Sequence, residues 1–158
     1  MVVVADTSPI NYLILIDGIE LLRVLYGHVL VPEAVALELR DQETPSKVRL
    51  WMQRLPDWME IQGASPSHDP RLAELDPGER EAIELALQRG VSLVLMDETT
   101  GRRQAEQLHL RVRGTLGILE EAARLGKIGF LPALRKLEGT TFRMTDAVKE
   151  AAIRRART

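Results

Sequence analysis

Cysteine is absent from the 158-residue sequence, which excludes disulfides, thiolate metal sites and cysteine nucleophiles and fits a cytoplasmic protein. Aromatic residues make up only 4%, so the core must be built mainly from Leu, Val, Ile and Ala. No apolar run approaches the roughly 18 residues that span a bilayer, and no membrane partner is expected. The opening Met1-Val2-Val3-Val4-Ala5-Asp6 lacks the basic stretch of a signal peptide and meets an acid early. Positive charge is not in excess either: 21 Lys and Arg stand against 23 Asp and Glu, a formal net charge of −2. Binding of a polyanion would therefore need a local basic patch or bound metal. What is present, 45% hydrophobic and 28% charged, is ordinary for a globular chain whose length suits one domain.

The apolar pattern alternates between two periods. Short β-branched runs at 2–5, 29–31, 59–61, 91–96 and 110–113 predict strands, the first and fourth buried on both faces. Between and after them, helices are expected at 9–16 (capped by Ser8, with Pro9 first), 19–26, 32–40, 45–55, 77–89, 101–108, 115–125 (capped by Thr115), 132–137 and 145–155. Residues 63–70 are rich in Gly, Ser, Pro and Asp and read as an exposed loop. Strands alternating with helices imply right-handed crossovers and a mainly parallel sheet. No repeat or composition shift marks a boundary, so residues 1–158 read as a single α/β domain, 145–158 forming a C-terminal helix and basic tail.

In open parallel sheets, ligands bind beyond the carboxyl ends of the strands, where strand order reverses. Two predicted strands end in acid, the first in Asp6 and the fourth in Asp97. Each could be a helix cap, but Ser8 and Thr99 or Thr100 are available for that task. Glu38 projects between Ala34 on one side and Val35 and Leu39 on the other, at about 100° per residue. A carboxylate in an apolar stripe must be protonated, paired or metal-bound; the alternative is a stripe-edge Glu whose head reaches water. Glu79 falls between Ala86 and Ile83 in the arc opposite Glu81, Glu84 and Gln88, although Asp76-x-x-Glu79 also matches a capping box. Four such acids together would repel one another without a cation. Their hard oxygens suit Mg²⁺ or Mn²⁺, which often serve phosphodiester hydrolysis.

At these residues the sequence resembles a PIN-domain nuclease, the fold of VapC-type toxins of toxin–antitoxin pairs, and is most similar to a prokaryotic PIN subgroup. The resembling segments are Asp6-Thr7-Ser8-Pro9, Val31-Pro32-Glu33-Ala34-Val35 leading to Glu38-Leu39, Leu75-Asp76-Pro77-Gly78-Glu79, Leu95-Met96-Asp97-Glu98, Gly101-Arg102 and Gly114-Thr115-Leu116-Gly117. They depart from the pattern at Glu98, where that subgroup carries Asp, and at Glu79, where ordinary VapC toxins use Asp. The resemblance implies a PIN-like three-layer α/β/α sandwich. It also implies that Asp6, Glu38, Glu79 and Asp97 bind Mg²⁺ or Mn²⁺ for RNA cleavage, with an antitoxin or a second copy of the chain, as a homodimer, among its partners.

Around the quartet, Glu98 is a candidate extra ligand. Ser8, Arg102 and Thr115 are candidates for contact with substrate phosphate, beside their simpler roles as caps and surface charge. Arg111, Arg113 and the tail arginines Arg154, Arg155 and Arg157 could extend an RNA track. Trp51 and Trp58 flank Pro56 and could cover a surface groove or pack in the core. His28, His68 and His109 have no ligand spacing. Two other classes compete: a non-catalytic RNA- or protein-binding module on the same fold, and an aspartyl phosphatase or receiver-like phosphotransfer domain. The latter lacks its second early acid, since Asp6 is followed by Thr7-Ser8.

Overall fold

Val2 to Ala5 occupy the centre of a sheet, which is why the run is apolar throughout. The computed structural model describes residues 1–157. In chain order the elements are β1 (Val2–Ala5), α1 (Thr7–Leu15), α2 (Glu20–Tyr26), β2 (His28–Pro32), α3 (Glu33–Leu39), α4 (Ser46–Trp51) and β3 (Met59–Gln62). There follow α5 (Pro77–Arg89), β4 (Leu93–Leu95), α6 (Thr99–Gln107), β5 (Arg111–Arg113), α7 (Thr115–Arg124), α8 (Phe130–Glu138) and α9 (Asp146–Ala156). The five strands pair in the order β3-β2-β1-β4-β5, and every pairing is parallel.

Alternate strand residues feed two separate cores, as the period of two requires. Val3, Ala5, Val29, Val31, Leu93 and Leu95 pack with residues of α1, α2, α3, α4, α7, α8 and α9 on one side. Val4, Leu30, Val94 and Met96 pack with α5 and the α6 residue Ala105 on the other. This is the three-layer α/β/α arrangement of the sequence expectation. Trp51 and Trp58 are half-buried against the first core with ring centroids 6.5 Å apart, so both serve packing.

Several boundaries differ, each for a local reason. Helices α1 and α8 begin two residues before their expected starts at Pro9 and Pro132. A proline anywhere in the first turn costs no hydrogen bond, because those N–H groups have no intrahelical acceptor, so Pro marks the turn but not its first residue. Ser8 and Thr115 consequently lie inside their helices and cap neither; Asp6 and Gly114 hold the cap positions. Likewise α6 starts at Thr99 behind Glu98, so neither Thr99 nor Thr100 is a cap. Strand β4 is shorter than 91–96 because the Val91 N–H turns back to the Ala86 carbonyl at 2.9 Å, sealing the end of α5 beside left-handed Gly90. Helix α4 stops at Trp51, short of the expected 55, and residues 52–58 turn to deliver β3.

The face of α5 expected to meet solvent is covered in part. Glu84 is buried, accepting the Ser67 N–H, and Gln88 exchanges hydrogen bonds with the backbone of Ser65. The exposed 63–70 loop thus straps α5.

Candidate acidic active site at the sheet switch point

Strand order reverses between β1 and β4, the two strands that end in acid. Ala5 pairs with Leu95, and the Asp6 N–H donates to the Leu95 carbonyl at 2.9 Å, so Asp6 and Asp97 leave neighbouring strands at the position where such sheets bind ligands. Asp6 is only 5% exposed and its side chain makes no cap bond to α1. Burial pushes its carboxyl up to about 7, against the Thr7 N–H, and the charges of Asp76, Glu38 and Asp97 add to the rise.

Asp97 is held on both oxygens by the first residue of α7. The Thr115 N–H donates to Oδ1 at 2.7 Å and the Thr115 hydroxyl to Oδ2 at 2.7 Å. Thr115 is fully buried, and Asp97 serves one of the orphan amides at the start of α7 in place of a local cap. Burial raises the Asp97 carboxyl, while the Thr115 bonds and the Arg102 guanidinium pull it back. Gly114 lets these groups close in: a Cβ there would lie 2.8 Å from Asp97 Oδ1 and 3.2 Å from Arg102 Nη1.

Glu38 does not lie in the apolar stripe of α3. It is exposed; the buried face of this seven-residue helix is Val35, Ala36 and Leu39. Its head reaches the β1–α1 junction, where the Thr7 hydroxyl donates to Oε2 at 2.6 Å. Gly78, in the first turn of α5, accommodates that approach. A Cβ on Gly78 would stand 3.2 Å from Glu38 Oε2 and 3.3 Å from Asp6 Oδ1.

Glu79 is buried as the pattern of α5 predicts. Asp76 does cap the helix, its Oδ1 accepting the Glu79 N–H at 2.8 Å. Among the described residues, however, no bond from the Glu79 carboxyl to the Asp76 N–H completes the box. That carboxyl shares a hydrogen bond with the Asp76 side chain and lies against α6, 3.1 Å from where a Gly101 Cβ would begin. Burial holds it well above the usual carboxylate range, with Asp76, Asp6 and Glu98 adding to the rise. Asp76, read from sequence as a cap alone, is thus a fifth acid of this cluster; its match to the capping box masked the second role. Gly78, Gly101 and Gly114 were not singled out as site residues either. The available signal, at Gly78 and Gly101, was glycine within predicted helix starts, against propensity; Gly114, just ahead of one, carried none.

Beside Asp97 opens a cleft of about 1090 Å³, whose lining includes Ser8, Glu98, Arg102, Arg113, Arg143 and Arg155. Arg113 donates to the Tyr26 hydroxyl at 3.1 Å, and Arg155 pairs with Glu120. Arg103, Arg111, Arg154 and Arg157 are exposed and do not line the cleft. His28 meets Glu60 at 3.2 Å on β3, away from the acids.

The donor set is entirely carboxylate oxygen, and two of its members already converge on Gly78, which suits Mg²⁺ or Mn²⁺. In these rotamers no three Asp, Glu or His side chains among the described residues meet around one point, so sharing an ion requires side-chain rotation. The carboxyls of Asp6 and Glu79 are raised first by burial and then by neighbouring acids, and a cation bound there would offset that second, repulsive part. A family model described as a PIN domain matches residues 2–158. No curated protein and no solved structure matches the chain.

Proposed function

The chain belongs to the PIN-domain family, and from that premise we propose that it is a divalent-metal-dependent endoribonuclease, a toxin of a toxin–antitoxin pair or a stand-alone relative. The observation that carries the reading is the gathering of acids near the switch point between β1 and β4, with Asp6 and Glu79 buried and exposed Glu38 reaching in beside Asp6 at Gly78. Asp6, Glu38, Glu79 and Asp97 would hold Mg²⁺ or Mn²⁺, with Glu98 at the rim. The ion supplies Lewis acidity toward water and phosphate when bound.

The chain's own groups set the geometry. Thr115 fixes both oxygens of Asp97, and Thr7 fixes Glu38. Arg102, beside Asp97 in the cleft, orients the scissile phosphate, and Ser8 lines the same cleft. Water attacks phosphorus, the bond to one ribose oxygen breaks, and the products are a phosphate monoester and a hydroxyl. No covalent enzyme intermediate is required.

Labelled RNA incubated with Mn²⁺ or Mg²⁺, with and without chelator, tests the reading. Wild type is expected to cleave, and Asp6→Asn and Asp97→Asn to lose at least a hundred-fold, on the order of the several kcal/mol that ion-based charge stabilisation supplies. Equal cleavage by wild type and both variants would sink the assignment. A protein partner belongs to the same proposal: a second copy or an antitoxin would cover exposed apolar side chains such as Leu37, 73% exposed on α3, and Leu50, 64% exposed on α4. Sedimentation of the purified chain, alone and with a co-expressed neighbour, reads this out.

A further inference from the structure

The cleft does not end with the acids. Its far wall is the connection between α8 and α9, where exposure alternates residue by residue: Thr141, Arg143 and Thr145 are exposed, while Phe142 and Met144 are half-buried. That period of two is the mark of an extended strap with one face turned in. Tyr12 of α1 meets it. The Tyr12 and Phe142 rings pack edge to face with centroids 5.1 Å apart at 84°, and the Tyr12 hydroxyl hydrogen-bonds the Thr141 hydroxyl at 3.0 Å. Two of the six aromatic residues in the chain therefore stand in one cleft, locked to each other and continuous with Asp97.

We propose that this aromatic end is a subsite for one unpaired nucleobase of the RNA strand, with the Tyr12–Phe142 pair as its stacking wall and Arg143 anchoring the adjoining phosphate. The proposal rests on the ribonuclease reading for the identity of the strand. Three observations select a nucleotide over a protein segment. Two aromatic rings, Tyr12 and Phe142, stand in its apolar lining beside Val112, Leu116, Met144 and Val148, and a ring face suits a base. Arg102, Arg113 and Arg143 line the same cleft, which suits a phosphate backbone. Its volume of about 1090 Å³ exceeds the roughly 300–1,000 Å³ of small-ligand pockets, leaving room for more than one nucleotide unit. A base within a duplex is stacked and cannot reach such a wall, so the subsite selects single strands and loops over helices.

Fluorescence anisotropy in chelator, where cleavage is off, provides the test. The probes are an eight-nucleotide single-stranded RNA, the blunt duplex of the same sequence, and the single strand with an abasic site walked along it. The single strand is expected to bind at least ten-fold tighter than the duplex, with one abasic position costing most of that preference. Phe142→Leu, which keeps apolar volume, is expected to weaken single-strand binding roughly five- to hundred-fold, and Phe142→Tyr to restore it. Arg143→Ala, at an exposed position, should reduce the salt slope by about one and keeps the proposal testable should Phe142→Leu fail to fold. Unchanged affinity in Arg143→Ala and at every abasic position, equal duplex binding, or a protein partner occupying the cleft with no RNA bound overturns it. Cleavage with Mn²⁺ separates the two readings. A wild type that binds as described but never cuts removes the nuclease and leaves the subsite; one that cuts while the variants bind and cut normally removes the subsite alone.

Discussion

Thr115 spends both its N–H and its hydroxyl on Asp97, so its substitution tests whether the site needs orientation as well as charge. Thr115→Val keeps the backbone bond and the shape but removes the hydroxyl donor. Hydrogen bonds to charged groups are worth about 1.5–3 kcal/mol, so kcat should fall roughly ten- to hundred-fold. The acid limb of the pH–rate profile should move up, because the Asp97 carboxyl loses a bond that holds it down. A fall in kcat without that movement would assign Thr115 to packing only. Asp6 gives a second test. Burial holds its folded carboxyl up at about 7, against 3.8 for a free aspartate side chain. Between these values the folded chain holds more protons, so its contribution to stability is complete below the unfolded value and declines as pH rises through the folded one, by up to about 4 kcal/mol. In metal-free protein, Asp6→Asn should therefore melt higher than wild type at about pH 8 and no higher at about pH 4, as differential scanning calorimetry reads. Asp6 and Asp97 were legible because each ends an apolar run. The exposure of Glu38 was not, because a projection assumes an endless helix and α3 has seven residues.

Elements were legible wherever apolar spacing decided them: the five strands and nine α-helices among the described residues all stand near their expected places, while the short 3-10 turn at Pro70–Leu72 had no such signal. What failed was the assignment of ends, because caps here come from across the fold. The start of α7 is served by Asp97, eighteen residues earlier in the chain, and proximity of that kind has no local sequence signature. The strap over α5 is the same lesson in reverse, since Glu84 is polar by composition and buried by a loop. Glu84→Ala removes the acceptor of the Ser67 N–H and should cost about 1–3 kcal/mol, with faster proteolytic nicking within 63–70 and unchanged RNA cleavage. A loss of cleavage as large as that of Asp97→Asn would place the strap in the catalytic apparatus. Gly78→Ala carries the opposite expectation. Alanine ordinarily stabilises a helix position over glycine by about 0.5–1 kcal/mol, yet its Cβ would press on Asp6 and Glu38. Melting temperature should hold or rise while cleavage falls at least ten-fold; a variant as active as wild type would show that the carboxylates tolerate the displacement.

At the scale of the whole molecule, the proposed acidic site would couple stability to ions. Mn²⁺ should raise the melting temperature more at about pH 8 than at about pH 5, because at the lower pH it must first displace protons from Asp6 and Glu79. An upshift independent of pH, or equal in Asp6→Asn, would locate binding elsewhere. The overall architecture was readable because βα alternation leaves few topologies, while the placing of Asp76 and Phe142 depends on how distant segments meet. The strand order also governs when this chain becomes itself during synthesis. The central strand β1 is the first to leave the ribosome, yet its partner β4 follows only at residues 93–95, and the threonine that orients Asp97 comes later still. Parallel pairings over such separations form slowly. A half-made chain carries Asp6, Glu38 and Glu79 with no Asp97 to join them, so the site proposed above is complete only once synthesis has passed the start of α7.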